Sequence, residues 1–162
     1  MAEHDIFHKI LKVLEDAVVW HESFEHETTV RTSEEAAALR PDYSLAEGAK
    51  ALIVRVKIPH EGKKFVQAVL PGDKKFDSKK LKVAAGASDL RFATEEEVAE
   101  ITGGVQPGGV PPFGNLFGIE VYADKGVFEN ERIIFNAGRD ASIAIRSEDY
   151  KKIVSPVIAD IV

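Results

Sequence analysis

Residues 102–114, T-G-G-V-Q-P-G-G-V-P-P-F-G, are the most biased stretch of the sequence and the one that most restricts its folding. They hold five of the twelve glycines and three of the seven prolines. Glycine permits backbone conformations and close approaches that a Cβ forbids, whereas proline fixes φ and removes a donor. Such a mixture favours a shaped, semi-rigid loop. This glycine–proline loop is either a long surface connection or a binding loop, since long loops inside compact domains are often functional.

Helical and strand patterns alternate around this loop without a βαβ rhythm. Helical spacing covers residues 5–19, and residues 50–58 and 64–70 form a predicted hairpin. Predicted caps are Thr32 for residues 33–39, Asp77 for a helix to 85, Thr94 for 95–101 and Ser147 for a helix to 154. Further strands are predicted at 118–123, 132–136 and 141–145, with a tight turn at 137–140. We predict an α+β fold in which residues 1–162 form one domain, with a largely antiparallel sheet or barrel flanked by helices.

Composition indicates an ordinary globular chain, because 44% of the 162 residues are hydrophobic and 30% are charged. No apolar run approaches the roughly 20 residues of a membrane helix. The first residues lack the basic region and apolar core of a secretory signal, so we expect a cytoplasmic protein that does not bind membranes. The absence of cysteine excludes disulfides, thiolate nucleophiles and cysteine-ligated metals.

The charge is unevenly distributed although the net charge is −6. Residues 57–82, the basic segment, contain eight lysines against three acidic residues, which gives about +5 and leaves about −11 for the rest. Such a segment on an acidic body is either a solvated face or a local contact for a polyanion such as the end of an RNA. General coating of DNA is not expected.

Most catalytic motifs are missing from the sequence. It has no Gly-x-Ser-x-Gly elbow, no Walker A motif and no Gly-x-Gly-x-x-Gly fingerprint. His4 and His8 are spaced to touch one metal, but a third ligand is not apparent, so we predict no metal and no cofactor. A metal-dependent hydrolase using His4, His8, His21 or His26 is the weakest of three functional hypotheses.

Lys50 is the most unusual charged residue because it begins an apolar, β-branched run. It is either a strand-end lysine that reaches water or a cation in a partly enclosed pocket. In a pocket, a lysine can hold a phosphate or polarise a carbonyl.

Several motifs, in one order along the chain, resemble the YbaK/EbsC-type aminoacyl-tRNA deacylases, a family related to the insertion domain of bacterial prolyl-tRNA synthetase. They are G-A-K-A-L at 48–52, T-S-E-E-A-A at 32–37 after Glu25 and His26, the Gly-x-x-x-Pro of 103–107, P-F-G at 112–114 and the N-A-G turn at 136–138. The similarity runs from about residue 23 to residue 145. It implies the fold of that family and removal of a wrong amino acid from the 3′ end of a tRNA.

The resemblance also implies roles for individual residues. Catalytic roles fall on Lys50, Gly103 and Gly138, and substrate-binding roles fall on Gly104, Pro107, Phe113, His26, Thr32 and Arg139. Within the basic segment, Lys74, Lys75, Lys79 and Lys80 are predicted to bind tRNA phosphates. Some members have a histidine where this chain has Arg139, which leaves the accepted amino acid open.

The implied chemistry needs no nucleophile from the protein. An aminoacyl ester is already activated, so positioned water and backbone donors aimed at the developing oxyanion suffice. The resemblance implies the aminoacyl-tRNA 3′ end as partner, with an aminoacyl-tRNA synthetase as a second candidate. The alternative function is a non-catalytic relative that binds tRNA, a nucleotide or a synthetase.

Overall fold

A computed structural model describes residues 3–25 and 42–162 of the chain. The helices in these ranges are α1 (Glu3–Ala17), α2 (Ser78–Ala85), α3 (Glu95–Thr102) and α4 (Ser147–Val154). The strands are β1 (His21–Glu25), β2 (Ala49–Ile58), β3 (Gly62–Pro71), β4 (Asp89–Phe92), β5 (Glu120–Asp124), β6 (Arg132–Asn136), β7 (Ala141–Arg146) and β8 (Val157–Ala159). Short 3-10 turns cover Leu45–Glu47, Pro107–Gly109, Gly114–Phe117 and Lys125–Glu129.

The strands form two sheets. The small sheet has the order β1–β7–β6, and the large sheet has the order β4–β2–β3–β5–β8. Four strand pairs in the described ranges are antiparallel, whereas β3–β5 and β5–β8 are parallel. The predicted α+β fold with largely antiparallel pairing is therefore confirmed. A parallel bridge between Gly48 and Ile134 joins the two sheets.

The predicted hairpin forms the centre of the large sheet. Its register runs from Ala49 opposite Pro71 to Ile58 opposite Gly62. Successive side chains point to opposite faces of a strand, so each strand contributes to two hydrophobic cores. The first core lies on the face that carries Ala49 and Ile53, and the second lies on the face that carries Val54 and Val56.

The first core packs the large sheet against the small sheet and three helices. Its members include Ile6, Ile10 and Leu14 of α1, Val98 of α3, Ile143 and Ile145 of β7, and Tyr150 of α4. The second core packs Leu81 of α2, Tyr122 of β5 and Ile161 onto the other face. A mixed sheet covered on both faces explains why residues 50–58 read as a nearly continuous apolar run.

Two of the three helix caps that lie within the described residues are confirmed. The Asp77 carboxylate accepts from the Lys79 and Lys80 N–H groups, and Thr94 forms a reciprocal capping box with Glu97. The assignment of Ser147 as a cap was wrong, because Arg146 precedes α4 without a side-chain cap. The Ser147 hydroxyl instead donates to the Asn130 carbonyl at 2.5 Å.

Sequence patterns did not indicate β4 or β8. β4 has only four residues and alternates charged with apolar side chains, and β8 has three. The predicted Thr32 cap and its helix at 33–39 lie outside the described residues. Among the helices that the structure describes, none combines the length and apolar character needed to cross a membrane.

Candidate functional site

The glycine–proline loop is fastened to the body of the protein through its carbonyl groups. The Gly108 carbonyl accepts from Asn136 Nδ2 at 2.9 Å, and the Gly109 carbonyl accepts from the Gly138 N–H at 2.7 Å. The Pro111 carbonyl accepts from Gln67 Nε2 at 2.9 Å, and the Pro112 carbonyl accepts from the Tyr150 hydroxyl at 2.6 Å. Because residues of β3, the β6–β7 hairpin and α4 all donate hydrogen bonds to it, the loop is held in one position against the body of the protein.

The loop begins at a glycine cap on α3. Gly103 has φ 76°, and the Gly103 and Gly104 N–H groups both reach the Ala99 carbonyl, as in a Schellman ending. The buried Thr102 hydroxyl donates to the Val98 carbonyl and accepts from the Val105 N–H. Both glycines are exposed, and Gly104 has φ 114°, so they leave an uncovered stretch of backbone at the loop entrance.

The middle of the loop lies directly on the β6–β7 turn, residues 137–140. Gly109 approaches it so closely that a Cβ would lie 2.7 Å from the Arg139 nitrogen and 2.8 Å from Gly138 Cα. Gly138 itself has φ 87°. Asn136 sets the position of Gly108 and is itself oriented by the buried Ser142 hydroxyl, 3.4 Å from Asn136 Oδ1. Gly108 is half-exposed, so the backbone in the middle of the loop is accessible from outside.

Lys50 lies at the end of β2 that meets this region. In the parallel bridge, Gly48 is opposite Ile134. Lys50 follows Gly48 by two residues and Asn136 follows Ile134 by two residues, in the same chain direction. Lys50 is half-buried, and its ammonium donates to the Lys74 carbonyl at 3.2 Å. An ammonium has three donors, so this bond leaves further donor capacity for an anion or a carbonyl. The bridge thus places the start of β2, where Lys50 lies, beside β6, the strand that leads into the β6–β7 turn.

An ion pair fixes the chain just before Lys50. Arg132 Nε donates to Glu47 Oε2 at 2.8 Å, and the Arg132 guanidinium also lies 3.9 Å from the centre of the Tyr43 ring. Burial opposes ionisation of Glu47, but hydrogen bonds from Ser44 and Arg132 outweigh it and lower the pKa of Glu47. This pair ties the start of β2 to β6 and so supports the bridge beside Lys50.

The basic segment is divided between the two ends of the β2–β3 hairpin. Lys57, Lys63 and Lys64 lie at the far end, about 30 Å from Lys74 and Lys75 for strands of ten residues. Of the four lysines predicted to bind tRNA, Lys74, Lys75 and Lys79 are exposed, whereas Lys80 forms an ion pair with Asp160 at 3.3 Å. The positive charge near Lys50 therefore comes mainly from Lys74, Lys75 and Lys79.

The other predicted substrate-binding residues have different surroundings. Pro107 is exposed at the start of the turn Pro107–Gly109, and Arg139 is half-exposed on the β6–β7 turn. Phe113 is fully buried against Phe135 and Tyr150, so the structure gives it a packing role and no exposed surface for a substrate. His26 and Thr32 lie outside the described residues.

Histidines do not form a metal centre in the part of the chain that the structure describes. His21 Nδ1 contacts the Val19 carbonyl at 3.0 Å, and the exposed His8 packs against the Phe7 ring. No group of three histidine, aspartate or glutamate side chains in these ranges is arranged to hold a metal ion.

Comparison with known proteins identifies the family. The family model described as the aminoacyl-tRNA editing domain matches residues 27–153. The chain belongs to this family. The matched region of this editing domain contains Lys50, the glycine–proline loop and the β6–β7 turn. The resemblance stated from the sequence motifs is confirmed.

Relatives of this editing domain include a tRNA deacylase and a proline–tRNA ligase. It is 34% identical over 119 residues to the multifunctional Ser/Thr-tRNA deacylase ProXp-y of Escherichia coli K12, covering 72% of this chain and 70% of the relative. It is also 36% identical over 102 residues, 63% of this chain, to the proline–tRNA ligase of Bacillus licheniformis, of which it spans only 17%.

Solved structures show the same fold. The crystal structure of the hypothetical protein APE2540 matches this editing domain with a TM-score of 0.80 and 27% identity, over 94% of this chain and 98% of that one. A proposed trans-editing enzyme for prolyl tRNA synthetase matches with a TM-score of 0.79 and 23% identity, over 96% of both chains.

The sequence analysis did not single out three residues that fix the position of the loop: Gln67, Tyr150 and Gly109. Gln67 offers a signal in retrospect, because it is the one polar residue within the apolar run V-Q-A-V-L of β3. It is fully buried, and a buried amide needs hydrogen-bond partners. The Tyr150 hydroxyl is held protonated, since burial raises the pKa of Tyr150, and it therefore acts as a donor to the loop.

Replacing Glu97 by glutamine is expected to remove a pH-dependent contribution to stability at the helix that leads into the loop. Hydrogen bonds from Arg91 and then from the Thr94 N–H lower the pKa of Glu97 from 4.5 to about 2. Because the folded pKa is depressed, the contribution is present above about pH 4.5 and is lost as the pH falls towards 2. Urea unfolding between pH 2 and 7 measures it.

The exposed Glu96, in the same helical turn, provides the matched control. The stability difference between wild type and Glu97→Gln should shrink on acidification, and more so than the difference for Glu96→Gln, which leaves the bonds from Arg91 and Thr94 to Glu97 in place. A Glu97→Gln difference that is constant across this pH range would contradict the assignment of the pair.

Proposed function

We propose that this protein is an aminoacyl-tRNA deacylase that acts in trans and hydrolyses the ester between a wrong amino acid and the 3′ end of its tRNA. The observation that supports the proposal is the bridge from Gly48 to Ile134, because Lys50 follows Gly48 by two residues and Asn136, which binds the Gly108 carbonyl, follows Ile134 by two residues. A cation and backbone donors are the groups that ester hydrolysis needs in the absence of a protein nucleophile.

The reaction requires water to attack the ester carbonyl carbon. The carbonyl oxygen then carries the developing negative charge, and the ribose oxygen leaves with a proton as the carbon–oxygen bond breaks. In this proposal the Gly108 N–H donates to the developing oxyanion, while the Lys50 ammonium holds the terminal phosphate or the carbonyl. Because the carbonyls of Gly108 and Gly109 are already bonded to the β6–β7 hairpin, the donor does not have to be reorganised during the reaction.

The whole chain, residues 1–162, is proposed to be one editing domain. α1, β1 and β8 lie outside the matched residues 27–153. α1 nevertheless packs into the first core, and β8 pairs with β5 of the large sheet. The relative named as a Ser/Thr-tRNA deacylase supports charged tRNA as the substrate, so we propose a cytoplasmic location and the 3′ end of tRNA as the partner.

Replacing Lys50 by alanine is expected to lower kcat/KM for deacylation by about 10- to 100-fold, the value of a hydrogen bond to a charged group. The measurement is release of amino acid from a panel of mischarged tRNAs, including seryl- and threonyl-tRNA because the E. coli relative is named for them. Lys63→Ala is the matched control, since Lys63 is exposed at the far end of the same hairpin.

The panel also separates this function from a non-catalytic tRNA- or synthetase-binding role. The bond from Lys50 to the Lys74 carbonyl favours the non-catalytic alternative, because it gives Lys50 a structural role that does not require catalysis. Absence of turnover on every tRNA, or equal turnover by Lys50→Ala, would reject the deacylase. Full activity in chelator would reject the metal-dependent hypothesis.

A further inference from the structure

The face of the large sheet that carries Lys50 continues to an exposed aromatic ring. Phe92, the last residue of β4, is opposite Val54 of β2 in the sheet register. Cross-strand partners and alternate residues share a face, so Phe92, Val54 and Lys50 point to the same side. The four residues from Lys50 to Val54 span about 13 Å along the strand. Phe92 is 56% exposed, so a large part of its ring is accessible to a partner.

A second ring holds Phe92 in place. The ring centres of Phe76 and Phe92 are 5.8 Å apart, with an interplanar angle of 66°. Phe76 is half-buried against the second core, so it is anchored on one side while it contacts Phe92 on the other. It follows Lys74 by two residues, and the Lys74 carbonyl binds the Lys50 ammonium. The aromatic pair is thus connected to the turn beside the proposed site.

Charge around the pair is positive on the side of Lys50. Exposed Lys74 and Lys75 precede Phe76, and exposed Lys79 lies in the first turn of α2, so these three lysines outnumber Asp73 and Asp77 in the same segment. On the other side, Glu95 and Glu96 begin α3 three residues beyond Phe92. Phosphate groups are therefore attracted to the side of Phe92 that carries the lysines and repelled from the side that carries Glu95 and Glu96. Positive charge that follows the backbone, next to a ring on which a base stacks, is how proteins bind single-stranded nucleic acid.

We propose that Phe92, held by Phe76, is a stacking platform for an unpaired base at the 3′ end of the tRNA whose ester lies at Lys50. The proposal rests on the deacylase function and adds the part of the substrate that is recognised away from the ester. The lysines at 74, 75 and 79 contact the phosphates between the stacked base and the ester. Base stacking does not depend on base identity, so this contact selects an unpaired 3′ end rather than a particular tRNA.

Binding of two labelled RNA hairpins tests the platform. Both have a tRNA acceptor stem, and one carries the unpaired ACCA end while the other lacks those four nucleotides. Phe92→Ala is expected to weaken binding of the tailed hairpin about tenfold and to leave the tailless hairpin unchanged. Phe92→Tyr, which keeps a ring, should bind as wild type does, and Phe92→Leu, which keeps apolar surface without a ring, should resemble Phe92→Ala.

Two exposed apolar residues elsewhere serve as matched controls. Trp20 is 39% exposed beside Arg146 of the small sheet, and Val83 is 84% exposed on α2. Trp20→Ala and Val83→Ala should leave the affinity for both hairpins unchanged, and thermal unfolding should show that every variant is folded.

The platform is overturned if Phe92→Ala or Phe92→Leu binds the tailed hairpin like wild type, if the loss is equal for both hairpins, or if wild type binds neither. The deacylase function fails separately, through absence of turnover on the mischarged tRNA panel. A ring-dependent preference for the tailed hairpin without turnover keeps the platform and rejects the enzyme.

Discussion

Replacing Gly109 by alanine is expected to lower the free energy of unfolding by about 1–3 kcal/mol and to reduce deacylation by far more than the stability loss explains. The added Cβ would lie 2.7 Å from Gly138 C and from the Arg139 nitrogen. These are backbone atoms, which cannot swing aside as a side chain can. The loop must therefore move off the β6–β7 turn, which breaks the 2.7 Å bond from the Gly138 N–H to the Gly109 carbonyl.

This displacement also moves the neighbouring Gly108 N–H, the proposed donor to the oxyanion. A misplacement of about 1 Å can cost about 100-fold in rate. Gly118→Ala is the control, because Gly118 has φ 74° and open space around its missing Cβ. It should cost about 1–2 kcal/mol through backbone conformation alone and leave kcat unchanged. If Gly109→Ala retains both stability and kcat, the close packing of loop and turn has no functional consequence.

Local sequence signals predicted most of the elements because each depends on short-range chemistry. The Asp77 cap, the Thr94 capping box and the glycine end of α3 involve residues a few positions apart. The β2–β3 hairpin likewise follows from two apolar runs around one turn. Ser147 failed as a cap because the helix begins at Ser147 itself, one residue beyond the cap position, and its hydroxyl donates to the distant Asn130 carbonyl. The parallel pairing of β3 with β5 was also beyond reach, since 54 residues separate the paired positions, as in Val66 opposite Glu120.

The candidate site was only partly predictable for the same reason. A lysine at the head of an apolar strand and a glycine–proline loop are visible in the sequence. Their proximity depends on the bridge from Gly48 to Ile134 and on the bond from Asn136 to Gly108, which join distant parts of the chain. Phe113 was assigned to the substrate through its motif, whereas its burial against Phe135 and Tyr150 makes it a support for the loop.

Replacing Gln67 by glutamate is expected to make the stability of the protein strongly dependent on pH. Gln67 is fully buried, its Nε2 donates to the Pro111 carbonyl, and its Oε1 accepts from the Gly114 N–H at 2.8 Å. A protonated carboxyl has the same pattern of one donor and one acceptor. An ionised carboxylate has no proton for Pro111 and places an unpaired charge in the core. The folded-state pKa of the introduced carboxyl is therefore raised above its ordinary value of about 4.3.

The sign of the effect follows from this raised pKa. The variant should be about as stable as wild type below about pH 4.3, and it should lose about 1.4 kcal/mol per pH unit as the pH rises towards the folded-state pKa. The loss reaches about 3–4 kcal/mol by pH 7 if the introduced carboxyl stays neutral in the folded state to that pH. Urea unfolding at pH 4, 5, 6 and 7 measures the slope.

Gln67→Leu separates the charge from the lost hydrogen bonds. It leaves the Pro111 carbonyl and the Gly114 N–H unpaired at every pH, so its cost of about 1–3 kcal/mol should not change between pH 4 and 7. If the stability of wild type and of Gln67→Glu changed with pH in the same way, the role assigned to the two Gln67 hydrogen bonds would be contradicted. Gln67 holds the end of the loop that contains Gly108. The kcat of Gln67→Glu should therefore recover towards the wild-type value as the pH is lowered, because the protonated carboxyl can again bond to the Pro111 carbonyl and the Gly114 N–H.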